Sequence, residues 1–573
     1  MSIQNQKFAA SEPSADHAVA ESIDTQDALV LPQVPPALLG NILLHMNEDE
    51  RAVALQRRLV PIAWLPHQTL FATAAYGDAF VPPPQGKIVA RIAPQEFDAA
   101  VRKFLASKIA ADAIGSLKTQ SPDFSAHERL SPNQKVIGLA VVIGLVAALF
   151  LIPHVYIYHL FGMSFTALFV SMVWLRLLAT TERHVREKPV PEMDDAALPV
   201  YSVLVPVFRE TSVLPQLIAA LSRLSYAAEK LDIKLILEET DTRMQRAVAR
   251  LNLPSQFQVL VVPPGKPQTK PRALNFALQF ARGSLLTIYD AEDVPEPMQL
   301  RIAARKFAKA DGDMACFQAE LAFYNPNENW LTRQFTIEYA ILFRVILPTL
   351  AKYHMPLPLG GTSNHFRTSI LRKVGGWDAY NVTEDADLGF RLARFGYQTA
   401  TLPSITYEEA NTQTRNWLNQ RARWFKGFLQ TWLVHMRGTP ELVHEAGWSG
   451  LLSLQAAVLG VVISATLHPF FLALTLVGIV AGGSTSQGFG LASGAMSCFY
   501  LSEFGIGVLV MMWSAVVALR RKRIGGWWLA IITMPGYWFL ASAAGLMGVW
   551  QLLHDPFHWN KTRHGISKFN VKP

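Results

Sequence analysis

The chain has 573 residues and a net charge of +8, yet only 17% of its residues are charged and its mean hydropathy is +0.19. That length holds several domains. The low charge excludes an ordinary soluble protein, where roughly a quarter of residues are charged. Two distant cysteines, Cys316 and Cys498, make neither a disulfide framework nor a zinc site. The excess of Lys and Arg matches inward-facing loops of a membrane protein better than a nucleic-acid face, since no basic stripe interleaved with aromatics is present.

In chain order, residues 1–30 are polar and aperiodic and are expected to be disordered. Residues 31–130 read as a small α+β cytoplasmic domain with a regulatory or docking role. Its helices are "PPALLGNILLHM" and "PQEFDAAVRKFLASKIAADAIGSL", and its strands "QTLFATAAYG" and "KIVARIA". Residues 136–180 form two apolar runs, each near the ~20 residues of a membrane span, and predict a transmembrane hairpin. It starts too far into the chain for a cleavable signal.

From residue 198 short apolar runs alternate with amphipathic helices: "YSVLVPVF", "DIKLILEE", "FQVLVVPP" and "SLLTIYD" read as strands. That alternation predicts an α/β domain with a mostly parallel sheet, over 198–435, ending in an interfacial helix. Such sheets bind ligands at the carboxyl ends of their strands, where "EETD" and "DAED" fall. No GxGxxG or Walker A motif is present, which argues against a dinucleotide enzyme or a P-loop ATPase. A second apolar region spans 449–553, with Pro535 and Gly536 inviting a kink, and a basic tail, 554–573, follows "RRKR" at 520–523. Both basic segments point to the cytoplasmic side.

Four segments carry candidate chemistry, each with an ordinary alternative. In "DAEDVPEP", extended backbone aims Asp290 and Glu292 to one side, as ligands for Mg²⁺ or Mn²⁺, while Asp293 is placed to cap the next helix. In "NVTEDADLGFRLARF", Asp385 is either a general base or an acidic first turn of a helix. In "NWLNQRARWFKGF", Gln420, Arg423 and Trp424 share one helix face, suited to a diphosphate and a sugar ring, or to a membrane surface. In "PPGKPQTKPRALN", Lys266, Lys270 and Arg272 precede a helix N-terminus that favours anions, or simply make a solvated basic loop.

The order "EETD", "TKPRALN", "DAED", "TED", "QRARW" resembles the membrane-embedded family 2 glycosyltransferases, with cellulose and hyaluronan synthases as familiar relatives. The resemblance implies a GT-A (Rossmann-like nucleotide-diphospho-sugar transferase) fold inserted between transmembrane helices. It implies donor contacts from Glu239, Asp241, Lys270, Asp290, Gln420 and Arg423. Metal ligands would be Asp290 and Glu292, with Asp293 in reserve because Glu292 stands where the family has Asp. Asp385, with Glu384 beside it, would be catalytic. The acceptor would meet Trp424 and the Gly361, Thr362, Ser363, Asn364 loop. The tail resembles a Trp-x-Lys-Thr-x-His-Gly ending of some bacterial relatives, a gate near the site or a headgroup anchor.

The implied function is inverting transfer from a nucleotide-diphospho sugar, with a UDP-sugar expected, to polymerise and export a β-linked polysaccharide across a bacterial inner membrane. The runner-up is a non-processive transferase acting on a lipid or lipid-linked acceptor. A decayed membrane assembly or receptor protein is the reading from another class. Expected partners are the donor, the growing glycan or lipid, membrane lipids and an accessory export or regulatory protein, but no nucleic acid.

Overall fold

The computed structural model describes residues 32–567 apart from 66–67, 75–85, 183–191, 468, 471–472, 474–490, 523, 558–564 and 566. The segment expected to be disordered, 1–30, lies outside the described residues. The first elements are α1 (Pro36–His45) and α2 (Glu48–Arg57), the latter opened by a reciprocal Asn47–Glu50 cap. They pack on a three-stranded sheet of β1 (Leu59–Leu65), β2 (Gln68–Thr73) and β3 (Gly86–Arg91). The long helical run that follows is two helices, α3 (Pro94–Phe104) and α4 (Ala106–Gln120), broken at Leu105. The apolar pair is α5 (Pro132–Leu151) and α6 (His154–Thr181), separated by Ile152 and Pro153.

The second sheet has eight strands. They are β4 (Tyr201–Val207), β5 (Leu231–Glu238), β6 (Phe257–Val262), β7 (Leu285–Ile288), β8 (Val294–Pro295), β9 (Met314–Phe323), β10 (Asn364–Arg367) and β11 (Gln398–Glu408). Their order is β6-β5-β4-β7-β10-β9-β11-β8. Every residue of β5 is buried, as for a strand covered on both faces. Helices α7 (Leu214–Ser222), α8 (Thr242–Ala249), α9 (Lys270–Leu278) and α10 (Gln299–Lys309) connect these strands. This is the GT-A-like α/β architecture that the motif order implied.

The sheet departs from the mostly parallel expectation in one half. The β6-β5-β4-β7 half is parallel, whereas β10 runs antiparallel to both β7 and β9. The reversal has a use. Because β10 begins beside the end of β7, the Gly360–Ser363 loop reaches the same sheet edge as "DAED".

Beyond β9, α11 (Trp330–Ile341) runs through a wide turn, Leu342–Ile346, into α12 (Leu347–Lys352). Then come α13 (Thr368–Lys373), α14 (Glu384–Arg394), α15 (Thr414–His435) and α16 (Thr439–Ser453), which continues as helix to Leu467. The last are α17 (Leu491–Lys522), α18 (Trp528–Ile532) and α19 (Met534–His554), with the break between α18 and α19 at Thr533, two residues before Pro535. Among the described residues five helices are long and apolar enough to cross a bilayer. One of them, Trp330–Lys352, has 72% of its most apolar window buried inside the protein, so its apolar character serves the interior.

Candidate active site

The site lies along the edge where β5, β7 and β11 end and β10 begins. At the end of β5 the two acidic residues expected at the nucleotide separate. Glu239 is exposed, and Asp241 is buried, capping α8 through Met244 N (3.1 Å) and accepting from Arg209 N (2.6 Å). The neighbour the motif did not single out, Glu238, forms a buried pair with Arg272 at 2.5 Å. Burial raises the Glu238 carboxyl and Arg272 opposes that rise. Of the basic residues in "GKPQTKPR", Lys266 is exposed, Arg272 is spent on Glu238, and Lys270 alone reaches the centre of the site.

"DAED" is a turn, not an extended strand end. Asp293 N donates to Asp290 O (3.1 Å), and Asp290 N donates to the Asp293 carboxylate (2.7 Å). The expected capping role of Asp293 is not found. Val294 and Pro295 pair with β11 as β8, which keeps the chain extended, and the next helix starts at Gln299 with Met298 in the cap position. Asp293 is fully buried and also accepts from Thr362 Oγ1. Asp290 and Glu292 line the cavity described below, and Asp293 lies behind them.

Lys270, the first residue of α9, pairs with Asp290 and donates to Gly361 O at 2.6 Å. Burial works to lower its ammonium pKa, but Asp290, Glu384 and Asp385 around it push it above the ordinary lysine value. A Cβ on Gly361 would stand 3.1 Å from Asp385 Oδ2 and 3.9 Å from Lys270 Nζ, so glycine keeps this approach open. Thr362 shares the cavity wall with Gly361, whereas Ser363 and Asn364 are buried; Ser363 has φ 56° and bonds Thr406 at 2.6 Å.

Glu384 and Asp385 occupy the first turn of α14. Burial raises both carboxyls, Glu384 to about 8, with Asp385 adding to the rise and Lys270 and Arg423 opposing it. The preceding loop is held by α15. Val382 N donates to Gln430 Oε1 (3.1 Å) and Asn381 Nδ2 to Thr431 Oγ1 (3.0 Å). Gly427 lets the α15 backbone press onto Thr383, since a Cβ there would meet Thr383 Oγ1 at 2.4 Å. On its other side α15 meets α19 at Gly548, whose Cβ would stand 2.8 Å from Ala422 O.

Gln420, Arg423 and Trp424 all face the cavity, as their spacing predicted. Gln420 accepts from Asn411 Nδ2 (2.8 Å), and Arg423 donates to Val382 O (3.4 Å). Trp424 stacks on Tyr339 at 6.2 Å and lies 4.5 Å beneath the Arg421 guanidinium. Sequence reasoning missed Arg421, which pairs with Glu338, and Glu408, at the end of β11. Arg421 sits inside QRARW at a position the motif does not single out, Glu408 lies in a segment with no motif, and only the folded sheet and α11 bring them to the site.

The cavity holds about 420 Å³. One end is lined by Lys270, Asp290, Glu292, Glu384, Asp385 and Glu408, and it runs on between α6, α16, α17 and α19. Glu409, also on the wall, accepts from Gly565 N (2.5 Å) and Ser567 N (2.7 Å), so these two tail residues sit beside the site. The rest of the Trp-x-Lys-Thr-x-His-Gly ending lies outside the described residues.

Do these residues fit a divalent cation? In charge and chemistry they do. Burial pushes Asp293 and Glu408 far above the usual carboxylate range, and repulsion within the Asp290, Glu292, Asp293, Glu408 group adds to the rise. Asp293 Oδ1 is buried without a hydrogen-bond partner. Hard oxygens in such excess suit Mg²⁺ or Mn²⁺. They are not a preassembled ligand set. Among the described residues no three His, Cys, Asp or Glu groups stand close enough to hold an ion, and Lys270 takes up Asp290.

A mixed sheet of this order, with acidic turns at one edge and a lysine between them, is the GT-A-like arrangement that the motif order led one to expect. Comparison with known proteins agrees. Residues 285–542 match the family model described as "Glycosyl transferase family group 2". It is similar to "Probable glycosyltransferase YdaM" of Bacillus subtilis, at 28% identity over 45% of this chain and 64% of that protein. It is similar to "Glucomannan 4-beta-mannosyltransferase 2" of Arabidopsis thaliana, at 26% over 41% of this chain and 46% of that one. "Beta-monoglucosyldiacylglycerol synthase" of Synechocystis matches at 23% over 50% of this chain and 59% of that one. The chain thus spans about half to just under two thirds of the length of these relatives. A mannosyltransferase from Pyrobaculum calidifontis, solved with GDP-Man and Mn²⁺, aligns over 70% of this chain and 99% of its own at 16% identity and a TM-score of 0.46.

Proposed function

We propose that the chain is an inverting glycosyltransferase taking a glycosyl unit from a nucleotide-diphospho sugar, with a UDP-sugar the expected donor, to a hydroxyl acceptor that approaches from the membrane. One observation carries this reading: Asp385, Lys270, Asp290, Arg423 and Trp424 meet at the end of a cavity that continues between apolar helices. Asp385 accepts the acceptor hydroxyl's proton while that oxygen attacks the anomeric carbon. The bond from that carbon to the diphosphate breaks on the opposite face, so no covalent glycosyl-enzyme is needed. Lys270 and Arg423 stabilise the leaving diphosphate's charge. Asp290 and Glu292 would hold a divalent cation, Mg²⁺ or Mn²⁺, which when bound supplies further neutralisation of that charge. Trp424 gives the acceptor sugar or headgroup an apolar floor.

In this reading residues 31–130 form a cytoplasmic domain packed on the α/β domain, where Asn275 Nδ2 donates to Ala113 O at 3.1 Å, and the catalytic domain faces the cytoplasm of a bacterial inner membrane. Polymerisation with export was the sequence's first expectation and transfer to a lipid its second. The predominantly aliphatic cavity wall beyond Trp424 favours the second. The test uses membrane vesicles, a panel of labelled nucleotide sugars and an Asp385→Asn control. A labelled lipid supports single transfer, and a high-molecular-weight product supports polymerisation. Transfer undiminished in Asp385→Asn overturns the base assignment.

A further inference from the structure

The membrane half of the cavity has an apolar wall, with Phe169 and Met172 on α6, Val461 on the helix continuing α16, and Val508 and Met511 on α17. Hydroxyl groups are sparse there, Ser464 and Ser542 being the serines on this wall. A glycan in transit offers many hydroxyls and wants matching partners. An alkyl chain wants what this wall supplies.

Between that wall and Asp385 the charges do not balance. Glu338 gives both oxygens to Arg421, with Arg421 Nη1 at 2.7 Å, and also accepts from Tyr537 OH at 2.7 Å. Arg176 faces the same cavity and feels the Glu338 charge, but its guanidinium makes no hydrogen bond or ion pair among the described residues. Two guanidiniums thus surround one carboxylate. An arginine left in this state inside a membrane helix is costly and marks a ligand site. Its planar fork matches phosphate oxygens. Arg176 lies five residues before the end of the apolar span Gly162–Thr181, roughly 8 Å along the helix from that end, the depth of a lipid headgroup. The donor end of the cavity has its own cations, Lys270 and Arg423, so the nucleotide's diphosphate does not require Arg176.

We propose that the acceptor is an anionic amphiphile, a lipid-linked phosphate whose alkyl chain lies among α6, α17 and the continuation of α16, whose phosphate pairs with Arg176, and whose hydroxyl-bearing end is presented to Asp385. This assignment rests on the transferase reading above and names its acceptor class.

The test measures binding of labelled hexadecyl phosphate to the full chain in nanodiscs, beside hexadecanol and inorganic phosphate. Arg176→Gln is expected to weaken hexadecyl phosphate at least tenfold and to leave hexadecanol and UDP binding unchanged; Arg176→Lys should recover part of the loss. Met172→Trp, which fills the apolar end, should weaken both alkyl probes. Equal affinity of wild type and Arg176→Gln overturns the proposal. So does inorganic phosphate competing as well as the alkyl phosphate, which would mark a free-phosphate subsite, or hexadecanol binding as tightly as hexadecyl phosphate. If Arg176→Gln does not fold, Met172→Trp decides, and unchanged alkyl phosphate binding there overturns the proposal. Asp385→Asn should bind hexadecyl phosphate as wild type does. Loss of probe binding with transfer intact therefore defeats the acceptor assignment alone, and transfer surviving Asp385→Asn defeats the mechanism alone.

Discussion

The two ends of the cavity are built on opposite principles. The donor end gathers carboxylates that repel one another, Asp290, Glu292, Asp293 and Glu408, and offsets that repulsion only in part, by Lys270 at Asp290 and by hydrogen bonds from Thr362 and Asp290 N at Asp293. The membrane end gathers apolar side chains and a surplus guanidinium. Each end is thereby incomplete in the opposite sense, one short of positive charge and the other of negative. In the proposed reading a nucleoside diphosphate with its cation answers the first and an anionic lipid the second.

The largest effect should come where the ends meet. Asp385→Asn should lower transfer by about 10²–10⁴, the span of a general base, with donor binding retained in an equilibrium dialysis assay. Arg272→Ala tests whether the donor end depends on buried pairs. It strands Glu238 without its partner, and denaturant unfolding should read a loss of about 3–5 kcal/mol. A loss under 1 kcal/mol would mean that Glu238 simply takes up a proton. Glu408→Gln removes one charge from the repelling group. Cation-dependent donor binding should weaken by about 10- to 100-fold, as for residues that support metal ligands. Unchanged cation dependence would remove Glu408 from the donor end. Trp424→Ala should raise the acceptor KM about fivefold, from the loss of stacking worth ~1 kcal/mol, and leave the donor KM alone.

The smallest effect is in pH. The Glu384–Asp385 pair holds its proton to higher pH when folded than when unfolded, with Glu384 at about 8. The rate should therefore fall as pH drops through that raised value. Stability has the same origin and the opposite slope. The folded state gains nothing from this pair below the ordinary carboxylate value and loses stability as pH rises from there toward 8. Bound donor and cation bring positive charge and should move the acid limb of the rate profile downward. A limb that stays near pH 4 with and without donor would show that burial does not govern the pair.

Much of the donor end was legible in the chain because it is written in short acidic motifs. Asp290, Glu292, Asp385, Gln420, Arg423 and Trp424 all face the cavity where spacing and resemblance put them. What the sequence does not disclose there is local. The sequence suggests a helix cap for Asp293 because a pairing of Val294–Pro295 with β11 cannot be seen in eight residues. The buried pairing of Glu238 with Arg272 is not announced, because a strand's last buried residue and its exposed neighbour Glu239 look alike in sequence. The antiparallel β10 is four residues long and gives no periodicity to read. The membrane end was illegible for another reason. Arg176, Glu338 and Arg421 lie on three distant helices, and nothing in any one segment announces that their charges fail to cancel.

Gly427 and Gly548 place α15 one backbone thickness from the Thr383 loop on one side and from α19 on the other. A helix held that tightly has no slack along either contact. Position 427 and position 383 are therefore a matched pair in size. A larger residue at one has to be answered by a smaller one at the other, and the same holds for 548 against the α15 backbone it touches. Attempts to change what the chain accepts by reshaping α15 are best confined to its cavity-facing side chains. A change that shifts the helix itself would carry Asp385 and the membrane wall along together.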